Sequence, residues 1–129
     1  MTEKRLHRIP DDFEATIRIL RTDEGGRLHP PFNGIRWDFQ YAEDPADQLF
    51  MIHPDFFDTD RNSLPTDQPL AIGVELSARM VVLADEMRTK VHQKRLQVGT
   101  EFFCKEGQKS VAHGRVTRIT GLFTARPNQ

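Results

Sequence analysis

Residues 13–41, FEATIRILRTDEGGRLHPPFNGIRWDFQY, and residues 102–119, FFCKEGQKSVAHGRVTRI, decide the fold of this 129-residue chain. Each reads as strand, glycine-bearing turn or loop, strand. In the first, Phe13, Ala15, Ile17 and Ile19 alternate with Glu14, Thr16 and Arg18. A period of two sends the apolar set to one face of a strand. Asp23-Glu24-Gly25-Gly26 breaks the run, and the two glycines permit a sharp turn. Pro30 and Pro31 then keep the loop extended. A second alternation follows, with Ile35, Trp37, Phe39 and Tyr41 on one face and Arg36, Asp38 and Gln40 on the other. In the second segment Phe102 and Cys104 alternate with Glu101, Phe103 and Lys105, and Glu106-Gly107-Gln108-Lys109 forms a turn. Val111, Val116 and Ile119 mark the return strand, so a hairpin is predicted. Gly114 within it predicts a bulge or a close backbone approach.

Working outward, the length suits one domain with one core. Apolar residues make up 37% and charged residues 29% of the chain, which predicts long surface loops. No apolar run is long enough for a membrane helix. The opening MTEKRLHRIPDDF lacks the apolar stretch of a secretory signal and reads as a flexible tail over 1–11. A single cysteine excludes an intrachain disulfide and favours a reducing, cytoplasmic setting.

Charge is unevenly distributed. Residues 36–67 hold eight acids and two bases; residues 68–129 hold five acids and ten bases. Either the two halves form surfaces of opposite sign, or folding mixes them. Residues 42–69 read as an acidic loop region. Within it Leu49–Ile52 fits a short buried strand, and Phe56-Phe57, in an irregular loop bracketed by Pro54 and Pro65, either folds back on the core or, if exposed, forms a partner-binding anchor. The aspartates there lack the glycine and terminal glutamate of a calcium loop, so no metal is expected. Leu70–Leu76 fits a strand after the Pro65-Thr66-Asp67 turn. Residues 77–97 form a basic insert. Met80, Leu83, Ala84, Met87 and Val91 recur at helical spacing and predict a helix over 81–95, with a strand through Met80–Leu83 competing.

Catalytic chemistry has little foothold. Cys104 and His113 fall on adjacent strands of the second hairpin, where a thiol and its base could meet. An alternating apolar position more often buries such a cysteine as core. The five histidines show no metal-ligand spacing, and no phosphate-cradling or dinucleotide motif is present. No catalytic residue, cofactor or GTP site is expected.

The two segments together resemble the C-terminal β-barrel domain of elongation factor Tu and related translation GTPases. Glu24, Gly25, Gly26, Arg27, Pro31, Phe32, Gly34, Arg36 and Phe39 match the family's first loop and strand, and Lys105, Glu106, Gly107, Val111, Gly114 and Val116 match its last hairpin. Residues 42–98 match poorly. The resemblance implies an all-β, six-stranded antiparallel barrel, here with one inserted helix and without a GTPase domain. In the family this domain binds rather than catalyses. Its first loop faces the GTPase domain, and its Lys-Glu-Gly turn touches the T stem of tRNA. Two expectations follow. The first is a protein-binding adaptor acting through Glu24, Arg27, Phe32, Arg36 and Trp37, its partner translation-related or a toxin or effector. The alternative is an RNA-binding module using Lys105, Glu106, Gly107 and Lys109 with Arg88, Lys94 and Arg95. Trp37-Asp38 departs from the family pattern, which points to a re-purposed surface. A homodimer is compatible with a small barrel.

Overall fold

A computed structural model describes residues 3–126. Six antiparallel strands form one curled, half-barrel sheet. They are β1 (Phe13–Ile19), β2 (Asp38–Tyr41), β3 (Ile52–Phe57), β4 (Glu75–Val82), β5 (Glu101–Glu106) and β6 (Lys109–Ile119), in the order β2-β5-β6-β1-β4-β3. The expected all-β class is therefore the observed one. The two edges of the sheet are bridged where Phe39 of β2 and Phe50, just before β3, exchange both backbone hydrogen bonds at 2.8 Å.

Alternation places the core as expected in β1, whose Phe13, Ala15, Ile17 and Ile19 are all buried. The second hairpin is also present as β5–β6. Its glycine serves close approach: Gly114 lies opposite Phe102, and a Cβ there would sit 2.3 Å from the Phe102 ring. That ring stacks on Phe39 with centroids 4.6 Å apart, while Phe13 meets both rings edge-on.

The first segment folds differently from its reading. β1 and β2 are not partners; β1 pairs with β4 and β6, β2 with β5. The intervening loop is too long for a tight turn and is tied to other regions, with Leu70 N–H donating to Pro31 C=O at 2.8 Å. Only Asp38–Tyr41 of the expected 35–41 strand is extended in the sheet. The expected Leu70–Leu76 strand starts at Glu75 instead, because Gly73 turns at φ 78° and donates to Ile19 C=O. The acidic region contains a full strand, β3, with Pro54 inside it. An edge strand tolerates proline because one row of its N–H groups has no ladder to join. Phe56 faces the core and Phe57 the outer side.

The insert is part strand and part helix. β4 runs to Val82, so Val81 and Val82 belong to the sheet, as β-branched residues prefer. The helix α1 spans 85–95, an α-helical Asp85–Met87, a π-helical Arg88–His92 and an α-helical Gln93–Arg95. Among the described residues no helix is long and apolar enough to cross a membrane.

Of the expected tail, residues 1 and 2 lie outside the described residues, and the rest straps the outer face of β3 and β4. Lys4 N–H donates to Asn62 Oδ1 at 2.8 Å, Ser63 N–H to Lys4 C=O at 2.8 Å, and Leu6 N–H to Asp55 Oδ2 at 3.1 Å. Beneath the strap, Arg79 is 1% exposed and faces Asp55 at 3.5 Å. Asp55 also accepts from Ser63 Oγ at 2.8 Å. Arg79 donates to the carbonyls of Lys4 and Arg61 and lies over the Phe57 ring at 4.7 Å.

Candidate partner-binding surface

The loop from 20 to 37 is held firmly although much of it faces solvent. Gly25 turns at φ 89°, and Gly26 packs so tightly that a Cβ would lie 2.3 Å from Leu20 C=O. Glu24 ties the turn together. It accepts from Arg21 N–H at 2.8 Å and from Arg18 Nη2 at 3.0 Å on both carboxylate oxygens. The Arg21 N–H first, then the Arg18 guanidinium, hold its carboxyl below the ordinary carboxylate range. Thr22 Oγ1 donates to Arg27 C=O at 2.8 Å. Glu24 is thus a brace within the loop rather than a freely offered contact.

Asn33, which the sequence reading passed over, fixes the far end of the loop. Its side-chain amide accepts from Phe56 N–H at 2.9 Å and donates to Phe56 C=O at 3.0 Å. The amide imitates a neighbouring strand and closes the outer edge of β3 against further pairing. Gly34 follows at φ 98°.

The two expected surfaces adjoin through Glu106. One of its oxygens, Oε2, accepts from Trp37 Nε1 at 2.8 Å and lies 2.9 Å from Arg27 Nε. The glycine loop and the last hairpin turn therefore make one continuous face. On it Leu28 is 76% exposed and Phe32 46%. Arg36 is exposed and makes no ion pair among the described residues; Lys109 is exposed as well. Trp37 is not available to a partner. At 1% exposure it packs edge-on against Phe56 and belongs to the core. Leu28 was missed, although an isolated leucine in a Gly/Pro loop, with no periodic apolar partner, was a visible signal.

The expected RNA-binding set divides sharply. Lys105 is buried and donates to Ser110 Oγ at 3.2 Å. Arg88 is buried at the other end of the sheet, donating to Asp12 Oδ1 at 2.7 Å and to the carbonyls of Gly121, Leu122 and Thr124. Arg95 makes a fork-to-fork pair with Asp44, both bonds 2.9 Å, and lies over Tyr41 at 3.8 Å from the ring centre. Gly107 makes the turn itself, at φ 61°. Lys94 and Lys109 remain exposed. Lys105, Arg88 and Arg95 are engaged by the protein's own groups and do not form a phosphate track. The Asp44–Arg95 and Asp55–Arg79 pairs also show that folding interleaves the acidic and basic halves.

Cys104 and His113 do not meet. Cys104 is buried and His113 points outward, touching Phe103 and lying 3.5 Å from Glu101. Burial pushes the Cys104 thiol far up, away from the thiolate a nucleophile needs. Near the seam of the sheet, His92 is fully buried and shares a 2.7 Å hydrogen bond with Tyr41. Burial first, and Arg95 second, push its pKa down to about 4. Its Nε2 has no partner. Among the described residues no group of three His, Cys, Asp or Glu side chains is arranged to hold a metal. No protein-family model matches the chain.

Proposed function

We propose that this chain is a non-catalytic binding module of the cytoplasm, related to the C-terminal barrel of elongation factor Tu. It binds a protein partner through the face carrying Arg27, Leu28, Phe32 and Arg36. One observation carries this reading: Leu28 and Phe32 are exposed on a braced loop that also carries Arg36, which makes no ion pair among the described residues. Large apolar side chains on a rigid support lose little entropy on binding and make good anchors. Arg36 adds orientation through a carboxylate of the partner. The antiparallel sheet, the Gly25 turn and the Gly114 approach are what such a barrel needs, and they support the kinship.

The test is a quantitative pull-down from native lysate with wild type, Leu28→Ser/Phe32→Ser and Arg36→Ala proteins. A partner recovered by wild type and lost with either variant supports the proposal. Identical recovery by all three proteins rejects it.

RNA binding keeps a narrower footing on β6, where Arg115 and Arg118 project outward with side chains 64% and 63% exposed. Salt-sensitive tRNA binding that Arg115→Ala/Arg118→Ala weakens would favour it.

A further inference from the structure

Arg36, on the face described above, and two histidines from separate segments border the seam between β2 and β3. Among the described residues these edges share one backbone bridge, Phe39–Phe50. Counting away from that antiparallel pair along both segments sets Arg36 across from His53. The faces agree. Trp37 and Ile52 point into the core, so their neighbours Arg36 and His53 point outward. His53 is paired in β4 with Val81, and His7 of the N-terminal strap shares a small recess with that valine.

Each of the three has unused bonding capacity. His53 is 9% exposed, and its ring makes no hydrogen bond among the described residues. His7 Nε2 is buried without a partner. Arg36 has no carboxylate within ion-pair distance among the described residues. The nearby acids are mostly engaged: Asp55 by Arg79, Ser63, Asn33 and the Leu6 N–H, and Asp11 by Arg5 and Thr120. Asp38 is the remaining carboxylate. Burial, then His7, then Arg36 hold the His53 pKa down, with Asp38 opposing them. His7 and Arg36 are therefore close enough to act on His53 electrostatically. A cation is a poor occupant, since the side chains form no metal-binding trio and Arg36 repels it. An anion suits all three, because two imidazole N–H groups and a guanidinium fork are donors.

We propose that His7, His53 and Arg36 form a binding site for a phosphate-class oxyanion, either inorganic phosphate or a phosphomonoester. The site shares Arg36 with the protein-binding face, but it does not rest on that reading, and its probe, a small ion, tests it separately. The ring protons of the histidines are followed by NMR in the full chain while inorganic phosphate replaces chloride at constant ionic strength. His7 and His53 should shift saturably and their titration midpoints should rise, because a bound anion favours the imidazolium. His29 and His113 should not move. Arg36→Gln, at an exposed position that leaves the fold intact, should weaken binding by about tenfold, the loss of one charge-assisted contact. Repeating the titration with O-phosphoserine assigns the source. Tighter binding than phosphate indicates a phosphomonoester, and weaker binding indicates the free ion. A uniform, non-saturating drift of all histidines overturns the site, as does an Arg36→Gln titration identical to wild type.

Discussion

The outer face of β3–β4 and the face of the 20–37 loop hold the same kinds of side chain and treat them in opposite ways. On the first, Arg79 lies against Phe57 and Asp55 beneath the strap of residues 3–11, with backbone carbonyls taking two of its nitrogens. On the second, Phe32 and Leu28 stand in solvent and Arg36 has no ion-pair partner among the described residues. A buried cation needs partners, or its desolvation is uncompensated. An exposed one can wait for a partner from outside. The closed face is therefore part of the fold, and the open face is where protein binding is proposed.

Removing the cation from the closed face should give the largest effect. Arg79→Ala leaves Asp55 buried without its counter-charge and should cost about 3–5 kcal/mol in urea unfolding. It should also loosen the strap, read as faster protease cleavage near Lys4 and Arg5. A loss below about 1 kcal/mol, the range of exposed ion pairs, would remove the distinction between the faces.

The interior beside the seam provides the next test. His92 is neutral when folded, with a pKa of about 4, whereas an unfolded histidine titrates at 6.5. Below pH 6.5 the unfolded chain binds the extra proton, so stability rises with pH across this window. The contribution is complete above about pH 6.5 and is lost as pH falls toward 4, a total of about 3 kcal/mol. Denaturation midpoints over that range should show the slope in wild type and a flatter profile in His92→Phe. An equal slope in both would place the titration elsewhere.

A smaller effect comes from crowding at a position with no charge at all. Gly114→Ala drives a methyl into the Phe102 ring, which is itself stacked on Phe39. Overpacking of this kind should cost about 1–3 kcal/mol in thermal or urea unfolding. A neutral result would mean that the core near the seam yields easily, and that the closed regions are less rigid than the comparison requires.

Sequence periodicity made β1 and the β5–β6 hairpin legible, because both are local and each has one buried face. It did not reveal that β1 and β2 are separated by two strands, since strand partners depend on where a long loop is anchored. Nor did it separate the arginines. Arg36, Arg79 and Arg88 are equally cationic in a sequence, and their roles differ only through Asp12, Asp55 and carbonyls remote along the chain. Pro54 misled the reading of β3 because its meaning depends on whether the strand is central or at an edge. Trp37 was assigned to a surface through its neighbours, although its place in the alternation with Phe39 and Tyr41 already set it on the buried face.

The smallest expected change in stability is also the sharpest test of the open face. Leu28→Ser/Phe32→Ser removes apolar atoms that mostly contact solvent, so unfolding should shift by no more than about 0.5 kcal/mol per site. Phe32 carries the greater risk, because its backbone bridges Pro69, but a serine keeps that backbone intact. Stability retained with partner capture lost would mean that these side chains serve recognition. Stability lost by about 2 kcal/mol would mean that they pack against the protein itself, and the open face would then be closed in solution. The comparison between the two faces depends on that outcome, because Leu28 and Phe32 are the large exposed hydrophobic side chains of the loop.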